Sequence, residues 1–171
     1  MKYPSQTITI VIAEDDPDDC LLMEEVFKES GQGYHLVFVQ DGIELFQYLR
    51  HEANYATSTG VKRPDLILLD LNMPRMDGME ALAQIKADPI LRSIPVVVLT
   101  VATTEEYILR TYELGGAGFI IKPIGMDDML KVVKVLMQYW FEVVELASGE
   151  LIQKIKPDDK NLYSGRDSIS D

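Results

Sequence analysis

Four short apolar runs break up the chain: Ile8 to Ala13, Leu66 to Leu69, Pro95 to Thr100 and Phe119 to Ile121. The first three are apolar almost without interruption and rich in branched side chains. A strand with one wet face alternates apolar and polar residues, so an unbroken run marks a strand covered on both faces, as in a parallel sheet between helices. A weaker strand, Tyr34 to Val39, follows Gly31 and Gly33. Between the runs the period changes to that of helices. Asp18 to Ser30 places Leu21, Leu22, Val26 and Phe27 at helical spacing and stops at Gly31. Ile43 to Arg50 gathers Ile43, Phe46 and Leu49 on one face, and Met79 to Ala87 ends before Asp88-Pro89. Thr103 to Leu114 has a threonine cap and a Gly115-Gly116 stop, and a last helix runs from Met126 to Val144.

Five β-α units in succession predict an α/β fold. Parallel neighbours need crossover helices, which are right-handed in nearly all cases. The doubly wound five-stranded parallel sheet of order 2-1-3-4-5 is the economical arrangement. Two stretches lie outside the units. Residues 51–63 are polar and long for a connection, and are expected to form a surface loop. From about residue 147 the chain turns polar, so the expected division is a domain over 1–146 and a mobile tail over 147–171.

Composition narrows the partners. The chain has 171 residues, 47% of them hydrophobic, enough for one packed core. A formal net charge of −12 repels phosphodiester backbones and argues against direct nucleic-acid binding. The single cysteine, Cys20, rules out an intrachain disulfide. No signal stretch and no apolar run of membrane-spanning length is visible, so the expected setting is the cytoplasm, away from a membrane.

Ligands of a doubly wound sheet gather beyond the carboxyl ends of its strands. The first strand ends on Glu14, Asp15 and Asp16, and the third on Asp70, Leu71 and Asn72. The fourth ends on Thr100 and the fifth on Lys122. Carboxylates held close together repel unless a cation or proton relieves them, and hard oxygen donors suit Mg²⁺. A strand-end carboxylate is also a competent nucleophile at phosphorus. Lys122 and the Thr100 hydroxyl would then meet phosphoryl oxygens. Each residue has a plainer role available: Asp15 or Asp16 as a helix cap, Thr100 as the end of a strand, Lys122-Pro123 as the start of a loop. Four such signals on four correctly ordered strand ends are far more specific than any one.

These segments resemble the response-regulator receiver family of two-component systems. The resemblance rests on Val11-Ile-Ala-Glu14-Asp15-Asp16-Pro17, Leu66-Ile-Leu-Leu-Asp70-Leu-Asn72-Met73-Pro74-Arg75-Met76-Asp77-Gly78, Val96-Val-Val-Leu-Thr100 and Gly118-Phe119-Ile-Ile-Lys122-Pro123, and covers roughly residues 8 to 144. It implies that Asp70 accepts a phosphoryl group from a sensor histidine kinase. It implies Mg²⁺ held by Asp15, Asp70 and the carbonyl of Asn72, with Glu14 acting through water. Lys122 would pair with the phosphoryl group, and Thr100 and Phe119 would form the switch pair. Val101 departs from the family's small residue at that position and is expected to slow loss of the phosphoryl group. The long loop before the third strand, the lack of an output domain and the ending Gln138 to Val144 are similar to regulators paired with phytochrome-type photoreceptor kinases. Signal output would run through a conformational switch or through onward transfer to a phosphotransfer protein.

Competing chemistries fit less well. A haloacid-dehalogenase-type phosphohydrolase needs a second Asp two residues after its nucleophile, where this chain has Asn72. A flavodoxin-like carrier needs a Gly-, Ser- or Thr-rich phosphate loop after the first strand, where this chain has three acids. A degenerate receiver would lack acids or the lysine, and none is missing. Finally, the last helix is apolar over a wide arc. Met129, Val133, Leu136, Trp140 and Val143 form one stripe, flanked by Leu130, Met137 and Phe141 on one side and by Val135 and Tyr139 on the other. This predicts a homodimer interface with Leu130, Met137, Tyr139 and Phe141 in it, unless these flanks pack beneath the tail or a neighbouring helix.

Overall fold

The computed structural model describes residues 7–31, 33–57 and 59–147. The tail expected over 147–171 therefore lies outside the described residues, except for its first position. Five parallel strands, β1 (Thr9–Ala13), β2 (His35–Val39), β3 (Leu66–Leu69), β4 (Val96–Thr100) and β5 (Gly118–Ile121), lie in the order β2-β1-β3-β4-β5. Among the described residues the α-helices are α1 (Pro17–Glu29), α2 (Gly42–Leu49), α3 (Gly78–Ala87), α4 (Glu105–Glu113) and α5 (Met126–Gln138). The expected doubly wound sheet and its strand order are both present.

The unbroken apolar runs have a simple cause. Alternate residues of one strand point to opposite faces, and both faces are covered. Val11, Ala13, Ile67, Leu69, Val96 and Val98 join the core beneath α2 and α3. Ile10, Ile12, Leu66, Leu68, Val97 and Leu99 join the second core beneath α1 and α5. Every residue of β1, β3 and β4 is buried. β2 and β5 stand at the edges and are only partly buried, so their sequence signal was weaker.

Caps set the helix starts. Asp16 accepts hydrogen bonds from the amides of Asp18 and Asp19, Asp41 from Glu44, Asp77 from Glu80 and Thr104 from Tyr107. The plain capping role therefore holds for Asp16. α4 is the least anchored helix: Thr111 is its one buried residue, while Leu109 and Tyr112 are exposed. The polar loop after α2 contains a short 3₁₀ turn, Ala53–Tyr55, whose Tyr55 ring meets Tyr48 edge-on at 5.2 Å.

The end of the last helix corrects the expected interface. α5 keeps α-helical spacing only to Gln138 and closes with a π-helical turn over Tyr139–Val143, marked by the amide of Val144 donating to the carbonyl of Tyr139. An α-helix advances about 100° per residue and a π turn less, so positions beyond Gln138 rotate back. Phe141 comes into line with Met137, and both are 3% exposed. Phe141 packs against Tyr34, with ring centroids 6.1 Å apart. Leu130 is partly buried against the same core. Met137 and Phe141 therefore belong to the monomer's core and form no open interface. The same rotation carries Val143 outward, to 64% exposure, beside exposed Val135 and Tyr139.

Candidate functional site

The strand ends converge as their order requires. Glu14 and Asp15 follow β1, Asp70 follows β3, Thr100 ends β4 and Lys122 follows β5. Oxygen atoms of Glu14, Asp15 and Asp70 lie within 4.8 Å of one another. Glu14 and Asp70 are buried, at 4% and 6% exposure, while Asp15 faces solvent. The amide of Asn72 donates to Asp70 Oδ1 at 3.3 Å. Thr100 is fully buried, and its Oγ1 accepts from the amide of Ala102 at 3.2 Å. Phe119 is half-buried against the core beneath α2 and α3. Val101 is 62% exposed.

Lys122 joins the acids. Its Nζ donates to Asp19 Oδ2 at 2.8 Å, to Asp70 Oδ2 at 2.9 Å and to Glu14 Oε2. Burial by itself would lower the Lys122 pKa, but the hydrogen bonds to Asp19, Glu14 and Asp70 outweigh it and raise it. The amine therefore stays charged. Glu14 is pushed upward by burial, against the pull of Lys122. Four carboxylates (Glu14, Asp15, Asp19 and Asp70) and one ammonium leave net negative charge in a partly dry site. That donor set, hard oxygens with one side open to solvent, fits a divalent cation.

Two features escaped the sequence reading. Asp19 lies in the first turn of α1, and only its contact with Lys122, far along the chain, brings it into the site. The other is a clamp on the β3-α3 loop. Arg75 Nε donates to Asp41 Oδ2 at 2.6 Å, and Asp41 is only 2% exposed. Arg75 takes a left-handed backbone, φ 61°, which costs energy for any residue but glycine. The amide of Gly42 donates to the Met76 carbonyl, and a Cβ on Gly42 would stand 2.5 Å from the Met76 side chain. Gly78 closes the same loop: its amide donates to the Leu71 carbonyl, and a Cβ there would lie 2.0 Å from the Asp70 carbonyl oxygen. The segment carrying Asn72 is thus fastened at both ends, and no local pattern links residue 41 to residue 75.

Cys20 is inert by comparison. Burial first, then the charges of Glu14, Asp19 and Asp16, push its thiol up to about 11.

Comparison with known proteins agrees with this geometry. The family model described as the response regulator receiver domain matches residues 10–134. The response regulator Rcp1 of Synechocystis is 39% identical over 140 residues, spanning 82% of this chain and 93% of its own. Among solved structures, the phosphorylated cyanobacterial phytochrome response regulator RcpA superposes with a TM-score of 0.77 at 39% identity, covering 84% of this chain and all of its own. The Mn²⁺-bound form of Rcp1 gives a TM-score of 0.74 at 38% identity, covering 82% and 99%. A response regulator of red-light signalling in R. palustris gives 0.78 at 28% identity, covering 82% and 99%. With the strand order, the strand-end acids and the lysine all in place, this chain belongs to the response regulator receiver domains of two-component signalling.

Proposed function

We propose that Asp70 accepts a phosphoryl group from a phosphohistidine of a sensor kinase, and that the reaction needs Mg²⁺. The observation that carries this reading is the Lys122 ammonium held 2.9 Å from Asp70 Oδ2 beside the converging oxygens of Glu14 and Asp15. A carboxylate oxygen of Asp70 attacks phosphorus, the P–N bond breaks, and the imidazole leaves with the bonding pair and takes a proton. Asp15, Asp70 and the Asn72 carbonyl would hold the cation, with Glu14 behind them through water. The cation supplies charge neutralisation for the three phosphoryl oxygens. Lys122 steadies a further oxygen as a point charge. Thr100 donates its hydroxyl, and Phe119 reports the change through ring packing.

The likeness to phytochrome regulators supports a phytochrome-type histidine kinase as the donor, in the cytoplasm. Among the described residues no helix is long and apolar enough to cross a membrane. Output follows through a conformational switch or transfer to a phosphotransfer protein, without direct nucleic-acid binding. Pairing into a homodimer would use Val135, Tyr139 and Val143, the exposed flank of the last helix. Labelling with phosphoramidate tests the central claim. Wild-type protein should incorporate acid-labile phosphate only with Mg²⁺, and Asp70→Asn should incorporate none. Continued Mg²⁺-dependent labelling of that variant overturns the assignment.

A further inference from the structure

An ammonium group has three N–H donors. In Lys122 all three are engaged, by Glu14, Asp19 and Asp70. To meet a phosphoryl oxygen, Lys122 must let one acceptor go. The three are not equally releasable. Glu14 is 4% exposed and has no water to replace Lys122, and the Asp70 contact passes to the phosphoryl group that Asp70 itself carries, which leaves the Asp19 contact competing for the same ammonium. The Asp19 side chain is 40% exposed, so solvent takes over its hydrogen bond at small cost. Asp19 also stands in the first turn of α1, where the amide of Asp19 is itself held by the Asp16 cap, so its position is set by the helix start.

We propose that Asp19 is a positioning residue that parks Lys122 before phosphorylation and yields it to the phosphoryl group. This rests on Asp70 being the acceptor. Asp19 then acts as a brake: its contact stabilises only the unphosphorylated form, so phosphoryl binding must first displace it. Removing the contact favours the phosphorylated form.

The test is binding of beryllium fluoride, a phosphoryl mimic, in saturating Mg²⁺, followed by calorimetry and ¹⁹F NMR. Asp19→Asn should bind about threefold to tenfold more tightly than wild type, the range of a partly exposed, charge-assisted contact. Its KM for phosphoramidate should fall in step. Asp19→Glu should return toward wild type. Asp18→Asn removes an equal charge from the next residue, which is exposed and does not touch Lys122, and should change affinity less. A structural role alone would weaken binding or leave it unchanged. Either result for Asp19→Asn, or an equal gain in Asp18→Asn, overturns the proposal. Should Asp19→Asn fold poorly, Asp19→Ser carries the same expectation. Asp70→Asn separates the two claims: if it still binds beryllium fluoride as wild type does, the acceptor assignment fails, whatever Asp19 does.

Discussion

Asp41 is almost wholly buried yet keeps two strong donors, the Glu44 amide on one oxygen and Arg75 on the other. Taking away Arg75 leaves half of that carboxylate unsatisfied and frees the loop that carries Asn72. Arg75→Ala should therefore cost about 1–3 kcal/mol of stability, the range for losing a hydrogen bond to a charged group. It should also weaken Mg²⁺ binding several-fold while leaving the fold intact. Equal Mg²⁺ affinity in titration calorimetry would show that the clamp does not position the loop. Gly78 makes a sharper case, since a methyl at this position meets the Asp70 carbonyl oxygen at 2.0 Å. Gly78→Ala should destabilise by at least about 1–3 kcal/mol, as overpacking does, and should slow phosphorylation by displacing Asp70. Denaturant melts together with labelling rates check both parts. Val101 directly follows Thr100 at the end of β4, and its branched side chain is exposed to solvent beside that strand end. Val101→Ala should therefore shorten the lifetime of the phosphorylated form, and an unchanged decay rate would remove Val101 from the account.

At the scale of elements, α5 and its terminal π turn form one packing unit with α1 and β2. Phe27 meets Tyr34 edge-on at 5.6 Å, and Tyr34 meets Phe141. Phe141→Ala should cost about 3–5 kcal/mol, the usual range for a buried aromatic ring, and should not alter the mass of the particle in solution. Tyr34 adds a pH dependence. Burial first, then the Glu142 charge, push its hydroxyl up to about 12. The folded state thus holds the proton more tightly than the unfolded chain, whose tyrosine titrates near its ordinary value. The stabilisation is full below the ordinary tyrosine pKa of about 10 and is lost as pH rises through about 12. Tyr34→Phe should flatten that alkaline loss. A melting profile of the same steepness between those pH values would contradict this cause.

At the scale of the whole molecule, the exposed flank of the last helix bears on pairing of two copies. The exposed apolar residues of the last helix are Val135, Tyr139 and Val143, on the side away from both cores. A two-fold contact places the same patch on each chain, so one substitution acts twice. On the proposed pairing, Tyr139→Glu should bring the mass in solution to near 19.3 kDa without loss of phosphate incorporation at Asp70. Light scattering over a range of concentrations decides it. A wild-type mass already at one chain, with and without phosphorylation, would exclude the dimer.

The fold and the main acidic site were legible in the sequence, and the reason is local. Strands covered on both faces must be apolar throughout, helices between them must show a helical period, and strand order then brings the strand ends together. Glu14, Asp15, Asp70, Thr100 and Lys122 could be named because each lies at the carboxyl end of a strand or within two residues past it. The N-cap role of Asp16 was legible for the same reason, since capping is a contact with the next turn. What stayed hidden depends on contacts between distant segments. Asp41 and Arg75 lie 34 residues apart and meet only because β2 and the β3-α3 loop flank the same helix start. Asp19 matters because Lys122, 103 residues away, reaches it. The π turn escaped because apolar periodicity assumes one constant rotation per residue, and it is packing against Tyr34 that accompanies the change. Sequence by itself determined which elements form and what chemistry their ends carry. Tertiary structure decided which charges share a proton donor and which side of the last helix faces water, because both depend on distances that no local pattern encodes.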